Sequence, residues 1–286
     1  MWTANLPTAV PHEVTLVTRI EPSRGWRALR LREVWKRREL LYLFVWRDLK
    51  VRYKQTFLGA AWAVIQPVVT MGIFSVIFGG LAGIPSDGLP YPIFTFAALL
   101  PWYYFSSSLS RVAGSVVAEA HLISKIYFPR LIVPLSGVVA GLVDFAVSFG
   151  VLLAMTVWFG RFPTWRALTL PVFLLLVAAT ALGVGLWLSA LNVRYRDVGH
   201  LMPFVIQCWF FASPVIYPIA MIPERWRTLY SLNPMVGVVE GFRWALLGTD
   251  APAFNVMAAS ALAVAALLVG GAFYFKRMER TFADVA

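Results

Sequence analysis

"IVPLSGVVAGLVDFAVSFGVLLAMTVWF", residues 132–159, runs for 28 positions with one charged side chain, Asp144. About 20 apolar residues in a helix cross a hydrocarbon core of about 30 Å. This stretch is therefore long enough to span a bilayer. In lipid every backbone polar group has to be satisfied inside the segment, and the α-helix does that. The pattern repeats on both sides. Residues 55–86 and 88–110 carry no charge, and 167–193, 198–223 and 251–275 contain no Asp, Glu, Lys or Arg. Six spans are predicted, at about 59–82, 92–114, 132–159, 168–191, 201–222 and 252–275. The fold class is an all-α integral membrane protein.

Composition agrees. Only 14% of the 286 residues are charged, and the mean hydropathy is +0.72, which excludes an ordinary soluble domain. The net charge of +11 need not mean nucleic acid, because basic residues of membrane proteins collect on the cytoplasmic side. Cys208 is the single cysteine, so no internal disulfide forms.

The charge bias sets the expected topology. Residues 1–54 hold 12 of the 25 Lys and Arg and no apolar core of signal-peptide type, so the N-terminus is expected in the cytoplasm. Six spans put both termini on one side. Segments 1–58, 115–131, 192–200 and 276–286 then hold 19 basic residues, against 5 in 83–91, 160–167 and 223–251. Arg111 lies near the inner end of the second span. The expectation is N-in and C-in.

Two segments depart from a plain bundle. In "LREVWKRRELLYLFVWRDLKVRYK" (31–54), Leu31, Val34, Trp35, Tyr42, Val45, Trp46, Leu49 and Tyr53 recur at helical spacing, and Arg47, Lys50 and Lys54 share another face. An aromatic face with a basic one predicts an amphipathic helix in the membrane interface. The alternative is a soluble surface helix. In residues 213–248, Pro214, Pro218, Pro223 and Pro234 interrupt the chain repeatedly. The fifth span should break in its last third. The remainder, 224–248, is too short to cross twice and should form short helices at the outer face. Irregular backbone at that depth needs cover from protein or a water-filled cavity, which makes the segment a candidate pore cap; the alternative is a surface loop.

Much chemistry is missing. No G-x-x-x-x-G-K-[ST] stretch occurs, so no P-loop is present. His12, His121 and His200 fall outside the spans, and no Cys/His/carboxylate spacing resembles a metal site. Asp144 is the one ionisable residue deep in a span. Such a group is a functional hypothesis by default, alongside a carboxyl paired with a hydroxyl or held protonated.

Five blocks carry a resemblance. "RYKQTFLGAAWAVIQP" (52–67), "LLPWYYFSSSLSRVAGSVV" (99–117), "LISKIYFPRLIVPLS" (122–136), "SPVIYP" (213–218) and "LNPMVGVVEGFRWALLG" (232–248) resemble, in order, the polysaccharide-export permeases of the ABC-2 type. The likeness covers about residues 35–278, with residues 1–30 outside it as a variable cytoplasmic arm and 276–286 as a cytoplasmic tail. It implies an interface helix at 31–54, a transmembrane domain over 55–275 and short re-entrant helices before the last span. It further implies a homodimer in a bacterial inner membrane, with two copies of a separate ATPase. ATP and Mg would bind that partner, and this chain, a pore and not an enzyme, would carry no cofactor. The cargo would be a polysaccharide on undecaprenyl diphosphate, such as O-antigen.

Site residues follow in part from that likeness. The decapeptide "HLISKIYFPR" (121–130) stands where the family has its ATPase-coupling helix. Leu122, Ile123, Tyr127 and Phe128 offer apolar knobs, Lys125 and Arg130 offer charge, and Pro129 is expected to end the helix. The alternative is a membrane-anchoring loop with snorkelling basic residues. Arg47, Lys50, Arg52 and Lys54 are candidates for holding a lipid diphosphate at the entrance, or for attraction to anionic phospholipids. Trp102, Tyr104, Ser106, Ser107 and Trp209 are candidate channel lining, with helix packing as the alternative. Tyr217, Trp226 and Tyr230 are the candidate outer gate. Two other functions compete: an ABC-2 exporter of a small lipid or drug, and a membrane-embedded glycan transferase. The transferase lacks a clustered acid or histidine constellation.

Overall fold

The computed structural model describes residues 31–54, 61–279 and 282. The expected N-terminal arm, the "QTFLGA" part of the first block and most of the tail lie outside the described residues. All regular structure within them is helical. Four helical runs are long and apolar enough to cross a membrane: Ala61–Leu81, Ile132–Trp158, Trp165–Arg194 and Phe254–Met278.

The chain opens with α1 (Leu31–Lys36) and α2 (Arg38–Lys54), so the predicted interface helix is broken at Arg37. Its aromatic face points away from the rest of the protein: Trp35, Tyr42 and Trp46 are all more than half exposed. Phe44, on another side of α2, is the residue that enters the core. α3 (Ala61–Phe74) continues into a π-helical stretch, Ser75–Leu81. α4 (Tyr91–Ala118) is the longest helix. After it come α5 (Ala120–Lys125) and α6 (Ile132–Trp158). α7 (Leu170–Arg194) is preceded by a 3-10 turn.

The predicted fifth span, 201–222, is helical only in part. α8 (Asp197–Phe211) has 15 residues, about 22 Å of rise. Beyond Phe211 the chain is irregular apart from a short 3-10 turn at Ile219–Met221, and Pro214, Pro218 and Pro223 remove amide donors too often for an α-helix to continue. Two short helices follow, α9 (Glu224–Tyr230) and α10 (Pro234–Leu247), then α11 (Phe254–Met278).

α4 is the hub, packed against α6, α7, α10 and α3. Phe94, Phe96, Leu99, Phe105 and Leu109 are fully enclosed along it. Small residues set the closest approaches, as expected where lipid supplies no hydrophobic drive between helices. A Cβ on Gly141 of α6 would strike the Arg111 guanidinium and the Ser108 hydroxyl of α4, and one on Gly183 of α7 would meet the backbone of α11 at Leu268, 2.8 Å away. A second, smaller core forms at one end of the bundle. There Phe44, Ile123, Phe128, Leu131, Leu186 and Phe275 gather the ends of α4, α7 and α11 around α5. This is the end that the charge bias assigns to the cytoplasm.

Candidate functional site

The first constellation surrounds Asp144, midway along α6. α2 brings two partners: the Arg52 guanidinium pairs with one carboxylate oxygen, and the Tyr53 hydroxyl donates to the other at 2.5 Å. α4 brings Arg111, whose Nη1 stands 3.8 Å from the carboxylate. Arg111 is itself held in place. Its Nε donates to the Gly137 carbonyl at 2.9 Å, and Nη2 donates to Ser108 at 3.2 Å and Ser107 at 3.3 Å. Gly137 and Gly141, four apart on α6, leave the room it occupies. Burial and the bond to Asp144 push the Tyr53 hydroxyl up to about 12, so it stays a donor at neutral pH. A cavity of about 310 Å³ opens beside the cluster, walled by Arg52, Arg111, Asp144, Trp62, Gln66, Tyr103, Tyr104 and Ser107. A second, of about 660 Å³, shares Arg52 and Arg111 with it and reaches Arg47 and Glu119.

Of the four basic residues expected at a lipid entrance, Arg52 belongs to this cluster. Arg47 bridges Asp48 at 3.0 Å and Glu119, at the end of α4, at 2.5 Å. Lys50 and Lys54 are exposed on α2 and line neither cavity.

The second constellation is the segment 120–130. Its helix ends at Lys125, not at Pro129, because Ile126 is already extended at φ −128°, ψ 132°. The extended backbone lets Phe128 turn inward against Phe44, with ring centroids 5.9 Å apart. Ile123 is buried with it, and Leu122 packs on the same core. Ile126 and Tyr127 face outward, at 57% and 73% exposure, beside a groove of about 360 Å³ formed with Leu40, Leu43 and Phe44 of α2. Arg37 donates to the Tyr127 carbonyl at 3.4 Å. Lys125 is exposed and Pro129 half-buried. Arg130 bonds the Glu279 carbonyl and lies over the Phe282 ring. The knobs thus divide between an inner set and an outer set.

The third constellation is the proline-rich segment with α9 and α10. Tyr217 donates to the Phe211 carbonyl at 3.0 Å, so the Tyr230 hydroxyl, 3.0 Å away, is the donor in their mutual bond. Burial pushes the Tyr230 hydroxyl well above the usual tyrosine range. Trp226 is half exposed. Beneath them lies Arg243 of α10, fully buried. It donates to the carbonyls of Pro214 at 2.8 Å and Val215 at 2.9 Å, contacts Glu240 at 3.3 Å, and stacks 3.6 Å over the Phe94 ring. Asn233 joins the same region: its amide caps α10, accepts from the Trp209 indole at 2.8 Å and donates to the Ala212 carbonyl at 2.8 Å.

The candidate lining residues are dispersed. Trp102 is buried against Phe105 and Phe210, and the buried Tyr104 donates to the Val138 carbonyl at 3.2 Å and is one of the residues lining the cavity. Ser107 also reaches the cavity, Ser106 is half-buried and bonded to the Tyr103 carbonyl, and Trp209 is tied to Asn233. Tyr103, not among the candidate lining residues, lines the cavity and meets the Thr70 hydroxyl at 2.7 Å. Arg111, expected only near the inner end of a span, and the Glu240/Arg243 pair are likewise not among the candidate site residues of the sequence. A usable signal existed for both. Opposite charges stood in consecutive predicted spans, and others stood three apart in an apolar run; in lipid such charges seek one another.

Comparison with known proteins converges on one family. The ABC-2 type transporter family matches residues 39–247. The chain is 33% identical to the O-antigen export system permease protein RfbA of Myxococcus xanthus, over 87% of this chain and 96% of that one. It is 29% identical to a protein of the same name from Klebsiella pneumoniae, over 72% and 79%. It is 26% identical to the polysialic acid transport protein KpsM of Escherichia coli, over 84% and 93%. On this match across most of its length, the chain belongs to the ABC-2 type transporter family.

Proposed function

We propose that this chain is the pore-forming permease of an ATP-driven exporter that moves a lipid-linked polysaccharide, of O-antigen type, across a bacterial inner membrane. The observation that carries the reading is the 33% identity to an O-antigen export permease over nearly the whole of both chains. Two copies would form the pore, each with six spans and both termini inside, and two ATPase copies would dock from the cytoplasm. The predicted second and fifth spans would be α4 and α8 with the broken segment that follows it.

The parts fit a division of labour. Ile126 and Tyr127, exposed beside the α2 groove, suit contact with an ATPase, and the inner set of knobs would pass its motion to the ends of α4, α7 and α11. The basic residues of α2, Arg47, Lys50, Arg52 and Lys54, would meet a lipid diphosphate at the inner leaflet. The cavity beside Tyr103, Tyr104 and Ser107 joins aromatic faces to hydroxyls, a wall suited to sugars. Tyr217, Trp226 and Tyr230 would close the outer end.

Deleting the gene tests the reading. Surface polysaccharide should be lost and undecaprenyl-linked glycan should accumulate inside, with rescue by a plasmid copy. Normal surface glycan with altered drug susceptibility would instead establish the small-molecule exporter.

A further inference from the structure

We propose that the apolar groove between α6 and α7 holds an acyl chain of a membrane phospholipid from the outer leaflet, with the lipid phosphate at Arg161 and Arg166. The proposal is independent of the cargo and rests on α6 and α7 crossing the membrane. The groove measures about 880 Å³. Leu142, Phe149 and Leu153 of α6 line one side, Leu168 and Leu174 another, and it reaches Phe242 of α10, a fully buried residue. Among the described residues no charged side chain lines it, and Thr164 supplies its one hydroxyl. Water needs polar partners to stay in such a space, and a sugar would leave its hydroxyls unpaired. An alkyl chain needs neither.

Depth and charge narrow the occupant. Leu142 and Leu153 are eleven positions apart on α6, about 16 Å of rise. That is half of a hydrocarbon core of about 30 Å, so the groove is one leaflet deep. Its mouth is the turn between α6 and α7, at the end opposite the expected cytoplasmic side. Trp158, Phe162 and Trp165 are all more than two-thirds exposed there, as ring side chains are at the level of lipid head groups. Arg161 and Arg166 belong to the same turn. Arg161 is exposed and makes no ion pair among the described residues, while Arg166 is half-buried and lies over the Trp244 ring. Guanidinium suits a phosphodiester. A second copy of the chain fits less well, because a two-fold contact on this face would set like arginines against each other. The site also touches the first constellation. Phe145 lines both this groove and the 310 Å³ cavity, and its ring meets Tyr104, Phe149 and Phe242 at 5.7, 5.8 and 6.0 Å. A chain in the groove therefore braces a ring of the cavity wall.

The test uses the full-length permease in detergent, with binding read by native mass spectrometry. The probes are dioleoyl phosphatidylglycerol, dioleoylglycerol, which has the same chains without the phosphate, and undecaprenol. The wild type should prefer phosphatidylglycerol to dioleoylglycerol by about tenfold, the scale of two basic residues at a lipid surface. Arg161→Gln combined with Arg166→Gln should erase that preference and leave dioleoylglycerol bound. Ala146→Trp, at an exposed position in the groove lining, should displace both lipids, and Ala167→Trp fills the same groove from the other side if the first variant fails to fold. Leu262→Trp, exposed on α11 outside the lining, is the control for an added indole. If neither filling variant changes lipid binding more than Leu262→Trp does, the bound lipid is a general coat and the proposal is overturned. If a filling variant splits a dimer while lipid binding is unchanged, the groove is an interface between copies. If undecaprenol displaces phosphatidylglycerol and the double arginine variant changes nothing, the groove takes a polyprenyl chain and the phospholipid site is refuted.

Discussion

Replacing Arg243 by methionine tests how the proline-rich segment is held. Methionine keeps much of the stem and removes the fork. The carbonyls of Pro214 and Val215 lose donors at 2.8 and 2.9 Å, and Glu240, itself about nine-tenths buried, loses its cationic neighbour. Hydrogen bonds to a charged group contribute about 1.5–3 kcal/mol each, and removing one partner of a buried pair costs about 3–5 kcal/mol. These effects share one side chain and do not add, so the expected loss is about 4 kcal/mol. The assay is thermal unfolding in detergent at one fixed scan rate, because such transitions are commonly irreversible. At about 2–4 °C per kcal/mol for a chain of 150–250 residues, the midpoint should fall by roughly 10 °C. Arg243→Lys should lie in between, since an ammonium cannot bridge two carbonyls in the plane of a fork. Adding Glu240→Gln to Arg243→Met should recover part of the loss by removing the stranded carboxyl. If Arg243→Met moves the midpoint by less than 2 °C and Glu240→Gln recovers nothing, Arg243 does not hold this segment.

Other expected outcomes separate the roles of neighbouring residues. Tyr127→Ala should reduce ATPase co-purification at unchanged stability, whereas Phe128→Ala should cost about 3–5 kcal/mol of stability as a buried aromatic truncation; equal behaviour of the two would refute the inner and outer division. Gly141→Leu, which intrudes where the Arg111 guanidinium lies, should reduce export while the chain still inserts, and export at the wild-type level would show that Arg111 needs no such space. Tyr230→Phe, which deletes the donor to Tyr217, should raise small-solute leak across proteoliposomes without abolishing export, and an unchanged leak places the closure elsewhere.

What could be read from the sequence tracks how local each physical rule is. Lipid demands about 20 apolar residues and a self-satisfied backbone, so the helices at 61–81, 132–158, 165–194 and 254–278 stood out in composition alone. Prolines at 214, 218 and 223 marked the end of α8 for an equally local reason. Orientation was harder. Both the outward aromatics of α2 and the inward Phe44 are apolar, and hydropathy does not say which side meets lipid and which meets protein. Tyr127 and Phe128 are adjacent and alike, yet the extended backbone after Lys125 sends one out and one in. Pairings were the least legible, since Arg52 and Asp144 are 92 residues apart.

The two arginine–carboxylate groupings inside the bundle differ in a way that bears on function. Glu240 and Arg243 sit three apart on one helix, and Arg243 is enclosed and bound by backbone carbonyls that no ligand can replace. That pair travels as one body with α10. Asp144, by contrast, joins three helices, and each of its cationic partners comes from a different one. Both arginines keep access to cavities, and one contact is already longer than a hydrogen bond. A charge pair that bridges different helices depends on how those helices sit against one another, and a pair within one helix does not. The second kind fixes the proline-rich segment; the first ties α2, α4 and α6 together and would be altered by any shift of α2 against the other two.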